Sequence, residues 1–198
     1  MSQQRWRLDG QLALVTGGSA GIGRAIAREL LGFGARVLIA ARDGNGLDAV
    51  RIELEEEFPD GEVRTCVADV ADDEQRRELL DWVEDIGDGL NILVNNAGGN
   101  LTKAAIDYSE DEWRGIFEVN LFSAFELARS TYPLLTKHAA SCIVNVGSVS
   151  AITHVRSGAP YGMSKAAMHQ MTRNLAVEWA EDGIRVNAVA PWYIRTRR

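Results

Sequence analysis

Cysteine is nearly absent. Only Cys66 and Cys142 occur in 198 residues, each inside a short apolar run, 63–67 and 142–146. That is too few for a disulfide framework. The two read as buried free thiols of a reducing compartment rather than as a bridge or a metal site. Positive charge is also in deficit: Lys and Arg number 21 against 28 Asp and Glu, a net charge of −7. Nucleic acid and an anionic membrane are therefore poor partners, and the short cluster Arg195, Arg197 and Arg198 does not reverse this. Lysine is scarce, with only Lys103, Lys137 and Lys165. No apolar run approaches the ~18 residues of a membrane span. Residues 1–10 are polar and lack the apolar stretch of a secretory signal. A cytoplasmic location is expected by elimination.

What is present is 46% apolar and 25% charged, a globular composition long enough for one substantial core, so a single domain over 1–198 is expected. Short apolar runs alternate with longer helical patterns. Strands are predicted at 12–16, 36–40, 63–67, 91–94, 142–146 and 184–189. Helices are predicted at 21–31, 47–57, 72–86, 111–135 and 160–181. The helix at 111–135 opens on Ser109 with Glu112 three residues later, a capping box. Repeated β-α-β with continuously apolar strands implies an α/β, doubly wound parallel sheet covered by helices on both faces. The stretches 119–128 and 163–179 lack a clean polar face, so burial against a partner subunit is expected, as a homodimer or homotetramer through helices 111–135 and 160–181.

Several polar clusters fall at strand ends. Gly17, Gly18, Gly21 and Gly23 lie between the first strand and the first helix, where glycines let the backbone approach a pyrophosphate at a helix N-terminus. The second strand ends in Arg42-Asp43. Arg42 can pair with a 2'-phosphate, whereas Asp43 suits a helix cap. Asp69 follows the third strand, either accepting from an adenine amino group or capping the helix at 72–86. Asn95 to Gly99 follow the fourth. Asn120 sits within an apolar helical stretch, where a buried amide needs partners, as a structural brace or as part of a proton path. Tyr161 and Lys165 are four apart on one helix and share a face. A cation beside a phenol favours the phenolate, and Ser148 can supply a hydrogen bond to the same substrate oxygen.

These motifs, in this order, resemble the short-chain dehydrogenase/reductase family, over nearly the whole chain. The resemblance rests on Thr16 to Gly23, Asn95-Asn96-Ala97-Gly98, Asn120, Ser148, Tyr161 with Lys165, and the turn at 191–196. Within the family the chain is similar to tropinone-reductase-like members, through Arg5-Trp6, 91–94, 132–135, 170–172, 178–180 and Pro191-Trp192. The resemblance implies a Rossmann-type sheet and hydride transfer between a nicotinamide dinucleotide and a carbonyl or alcohol. Tyr161 would be the general acid or base. Lys165 would support it and bind the nicotinamide ribose, Ser148 would polarise the carbonyl, and Asn120 would hold a water. Cofactor contacts are expected from Gly17, Ser19, Ala20, Gly21, Ile22, Gly23, Arg42, Asp69, Val70, Asn96, Ala97, Gly98, Tyr161, Lys165, Pro191, Ile194 and Thr196. NADP(H) is preferred on the strength of Arg42, with NAD(H) possible. The substrate pocket is expected around Gly99, Asn100, Ser148, Ser150, His154, Ser157, Tyr161 and Tyr193. No metal is expected.

Three departures from the family pattern stand out. Ala20 occupies a loop position where NADP-dependent members often carry a basic residue. Trp192 replaces the glycine usual after Pro191. The family pattern also continues beyond Arg198 through a substrate-covering segment, a seventh strand and a last helix. The expectation is therefore a chain that is C-terminally incomplete, or one of low stability with an exposed sixth strand and a weak substrate site. An NAD-dependent alcohol or sugar dehydrogenase and a non-catalytic dinucleotide-binding scaffold are the alternatives.

Overall fold

The computed structural model describes residues 6–87 and 89–196. Arg5, Arg197 and Arg198, and with them part of the basic cluster, lie outside the described residues. Six strands form one parallel sheet: β1 (Leu12–Thr16), β2 (Arg36–Ala41), β3 (Val63–Val67), β4 (Ile92–Asn95), β5 (Ser141–Val146) and β6 (Ile184–Val189), in the order β3-β2-β1-β4-β5-β6. The helices are α1 (Gly21–Gly32), α2 (Gly44–Glu57), α3 (Asp73–Ile86), α4 (Glu110–Phe117), α5 (Ser123–Leu135) and α6 (Ala159–Glu178).

The apolar strands serve two cores at once, because alternate side chains point to opposite faces. Leu12 and Leu14 join Leu38, Leu93 and Ile143 in a layer under α3, α5 and α6, where Leu79, Leu127 and Leu175 close it. Ala13 and Val15 join Val37, Ile39 and Val94 in the opposite layer, under Ala27 of α1 and Leu47, Val50 and Leu54 of α2. Each buried leucine contributes about 1.5–3 kcal/mol, so this parity fixes the register of every strand. The strand order reverses between β1 and β4, and a crevice opens there at the carboxyl ends of the strands.

Three predicted helices differ from those observed by more than a single end residue. Residues 111–135 are not one regular helix: a π-turn, Glu118–Phe122, separates α4 from α5. The helix predicted from Leu47 begins three residues earlier, because the Asp43 carboxylate accepts from the Gly46 N–H and caps it there. The helix predicted to run to 181 ends at Glu178. The capping box at Ser109 and Glu112 forms, with the Glu112 carboxylate returning to the Ser109 N–H at 2.9 Å.

The thiols are half-buried rather than buried, and β2, β1 and β4 lie between the strands that carry them. Burial raises the pKa of both. β6 is an edge strand, with Val189 exposed. No helix among the described residues is long and apolar enough to cross a membrane.

Candidate active site and dinucleotide crevice

The loop after β1 is built for close approach. Gly17 has φ +66°, and a Cβ there would stand 2.8 Å from the Ala97 Cα. A Cβ on Gly23 would collide with the Gly17 carbonyl oxygen and the Asn96 amide. α1 begins at Gly21, after Ala20, which offers no side-chain cap, and has no acid in its first turn, whereas α2, α3 and α4 are capped by Asp43, Asp72 and Ser109. Its first N–H groups are left for a ligand, which a pyrophosphate fits. The loop is held from below. The Thr16 hydroxyl accepts from the Asn96 and Ala97 N–H groups at 3.1 Å, and the Asn96 Nδ2 donates to the Thr16 and Gly17 carbonyls at 2.9 and 3.0 Å. Asn96 is thus a brace for the glycine loop, its amide already committed.

A hollow of about 410 Å³ runs from this loop past the end of β2, lined by Gly17, Ser19, Arg42, Asp69, Val70, Ala97 and Gly98. The Arg42 guanidinium lies 3.6 Å from the Asp69 carboxylate. Asp69 also accepts from the Ala71 N–H, and the cap of α3 is Asp72 rather than Asp69.

A second cavity, of about 530 Å³, continues across the crevice and brings together Ile22, Gly98, Gly99, Asn100, Asn120, Ser148, Ser150, Ser157, Tyr161, Lys165, Pro191 and Tyr193. Ser148 caps a 3-10 turn at the end of β5, and its oxygen accepts from the Ser150 N–H at 3.1 Å. That lone pair is engaged, so the hydroxyl proton is free to point at a ligand. Tyr161 and Lys165 lie one turn apart on α6, with Nζ 6.0 Å from the phenol ring centre. Lys165 is 3% exposed, and its Nζ donates to the Val146 carbonyl at 2.9 Å. Burial lowers its pKa to about 8. The fully buried Asn120 sits in the π-turn and grips Gly99 both ways: its Oδ1 accepts from the Gly99 N–H at 3.0 Å and its Nδ2 donates to the Gly99 carbonyl at 2.8 Å. The amide therefore fastens the loop after β4 against the cavity.

The family model for short chain dehydrogenases matches residues 11–198. The chain belongs to the short-chain dehydrogenase family. A tropinone reductase homolog of Arabidopsis thaliana is 44% identical over 98% of this chain and 74% of its own length. The RhlG protein of Pseudomonas aeruginosa, solved as an active-site complex with NADP, superposes with a TM-score of 0.91 at 36% identity, over 97% of this chain and 76% of that one. A gluconate 5-dehydrogenase of Burkholderia cenocepacia, in complex with NADP and tartrate, gives 0.89 at 32% identity, over 98% and 76%. The chain is an oxidoreductase acting on CH–OH groups, as membership of the family carries.

Not every expected residue of this dehydrogenase reaches the crevice. His154 is exposed and lines a neighbouring hollow, not the cavity of Tyr161. Ile194 and Thr196 lie against the start of α1 in a largely apolar hollow that shares Ile22 and Pro191 with the cavity of Tyr161. Trp192 has no positive φ, and its exposed ring stacks edge-on with Tyr193 at 5.3 Å. Other residues of the site escaped the sequence reading. Ser164 links the Asn120 amide, at 3.3 Å, to the Tyr161 carbonyl, to which its hydroxyl donates at 2.8 Å. Asn145 and Thr172, also missed, form a buried chain with Asn95 of the Asn95–Gly98 motif: Asn95 Nδ2 donates to Asn145 Oδ1 and Asn145 Nδ2 to the Thr172 hydroxyl, both at 2.9 Å. For Asn145 a polar residue within an apolar strand was the available signal; Ser164 and Thr172 lie on α6.

Proposed function

We propose that this dehydrogenase interconverts a ketone and a secondary alcohol with NADP(H). The single observation behind this reading is the convergence of Ser148, Tyr161 and Lys165 on one cavity at the strand-order reversal. When bound, the dinucleotide supplies or accepts the hydride. The chain handles the proton and the charge. Ser148 donates to the carbonyl oxygen, and Tyr161 protonates that oxygen in reduction or takes the proton back in oxidation. Below about pH 8 Lys165 carries its charge and stabilises negative charge developing on the phenol oxygen. Asn120 and Ser164 hold the frame around them. Purified protein with NADPH and a panel of ketones should consume NADPH and yield alcohol in equal amount. Tight dinucleotide binding with no turnover across the panel would place the chain in the non-catalytic class instead.

Preference for NADP(H) rests on Arg42, because the neighbouring Asp43 carboxylate is occupied as a cap and offers little grip on a ribose hydroxyl. Arg42→Ala should raise the NADPH dissociation constant roughly 10- to 100-fold and leave that for NADH nearly unchanged, as read by fluorescence titration. The NAD-dependent reading draws on the Asp69 carboxylate, which partly offsets Arg42. Tighter NADH than NADPH binding in the wild type would decide for it.

A homodimer or homotetramer through α4, α5 and α6 accounts for the exposed Phe122, Phe125, Met163 and Val177. Sedimentation should find an oligomer that Phe125→Glu weakens by roughly an order of magnitude or more. A monomeric wild type would dismiss this interface. Two unpaired thiols suit a reducing compartment, and the cytoplasm is the proposed location.

A further inference from the structure

The cavity of Tyr161 adjoins the hollow that His154 lines, and the two share Thr102, Ser150, Val155, Arg156 and Ser157 in their walls. Among the described residues neither wall contains an aspartate or glutamate, in a chain with 28 of them and a net charge of −7. Among the described residues the lysines and arginines on these walls are Lys165, Lys103 and Arg156. Lys165 is buried on the Val146 carbonyl, and Lys103 is neutralised by an ion pair with Glu112. Arg156 is left. It is exposed, and among the described residues its side chain has neither a hydrogen bond nor an ion pair.

The backbone that carries Arg156 is held on both sides. The Ser157 carbonyl accepts from the Asn100 Nδ2 at 2.9 Å, and the Ser157 and Ser150 hydroxyls pair at 3.2 Å. Gly158 follows with φ +84°, close against the Tyr108 hydroxyl, which donates to the Leu101 carbonyl at 2.5 Å. A guanidinium is thus mounted at the rim of a cleft that offers it no internal counter-charge. Such a cleft draws an anion towards it and discourages a cation. A cationic amine would meet no carboxylate among the described residues of either wall.

We propose that the substrate carries a carboxylate besides its carbonyl or hydroxyl, an oxo acid or hydroxy acid, and that Arg156 pairs with that carboxylate while the reacting oxygen lies between Ser148 and Tyr161. The assignment presupposes the reductase reading above and names its substrate class. Arg156 is a specificity residue, with no part in the proton transfer.

The test compares compounds that differ only in the anion: acetoacetate, 4-oxopentanoate and 5-oxohexanoate, each against its methyl ester, with NADPH. For at least one pair the acid should have a KM lower by roughly tenfold or more. That preference should shrink as salt rises from about 50 to about 200 mM, since an exposed pair is screened. It should fall below about threefold in Arg156→Gln and reverse in Arg156→Glu. Esters used as well as acids in every pair, or a preference that persists in Arg156→Gln, would overturn the carboxylate assignment and leave the reductase reading standing. NADPH consumption with neutral ketones but with no acid would overturn the carboxylate assignment alone, whereas NADPH binding without consumption of any acid, ester or neutral ketone of the panel would overturn both.

Discussion

Tyr161→Phe should bind NADPH within about twofold of wild type and reduce ketones about a thousandfold more slowly. The substitution keeps the ring and removes one oxygen. What positions Tyr161 does not involve that oxygen: its carbonyl receives the Ser164 hydroxyl at 2.8 Å, and α6 continues through Lys165 beneath it. The glycine loop and the free start of α1 lie on another part of the crevice and are untouched. Loss is therefore expected in kcat rather than in cofactor affinity, the signature of an interaction made only as the proton moves. Single-turnover oxidation of NADPH measures the chemical step, and a fluorescence titration measures binding. Wild-type turnover in the Phe variant would remove Tyr161 from the acid's role.

Lys165→Met should make the cofactor-free protein more stable while damaging its catalysis. Lys165 is 3% exposed with one hydrogen-bond partner, and burial brings its pKa from 10.5 to about 8. Below pH 8 the folded protein holds a buried ammonium, which costs it about 3 kcal/mol relative to the unfolded chain. The sign follows from the proton: between about pH 8 and 10.5 the unfolded chain binds a proton that the folded chain has released. The penalty is therefore fully present below pH 8 and fades as pH rises towards 10.5. Methionine has similar length and removes the ammonium, but it orphans the Val146 carbonyl, at a cost of about 1–2 kcal/mol. The net gain is about 1–2 kcal/mol at pH 7, or roughly 3–6 °C in melting temperature. Denaturant unfolding of both proteins at pH 7 and pH 10 checks this. The advantage of the variant should narrow or vanish at the higher pH. A wild type that is the more stable at pH 7, with a gap unchanged at pH 10, would mean that the ammonium is well compensated where it lies.

Much of the scaffold was legible because a parallel sheet buried on both faces leaves a plain mark, continuous apolar runs such as 12–15 and 37–41. Asp43 was read correctly as a cap from its chemistry. The π-turn was not legible, since one additional residue in a helical turn changes neither composition nor apolar spacing enough to be seen. Ser164, Asn145 and Thr172 were missed because their partners lie 27 to 50 residues away, and only the fold brings them within reach. His154 was assigned to the reacting cavity from its place after β5. The 3-10 turn at Val149–Ala151 and the loop beyond it carry it to the next hollow instead.

The π-turn between α4 and α5 sets a phase. Each residue of an α-helix advances the chain by about 100° about its axis. Removing one residue from Glu118–Phe122 would restore regular turns and swing everything on one side of it through that angle. Asn120 would leave Gly99, or the stripe from Leu127 to Leu135 would leave the core. The two seatings hold together only at the present chain length. This helix should therefore accept changes of side chain far more readily than an insertion or a deletion, even though every residue near the π-turn is helical.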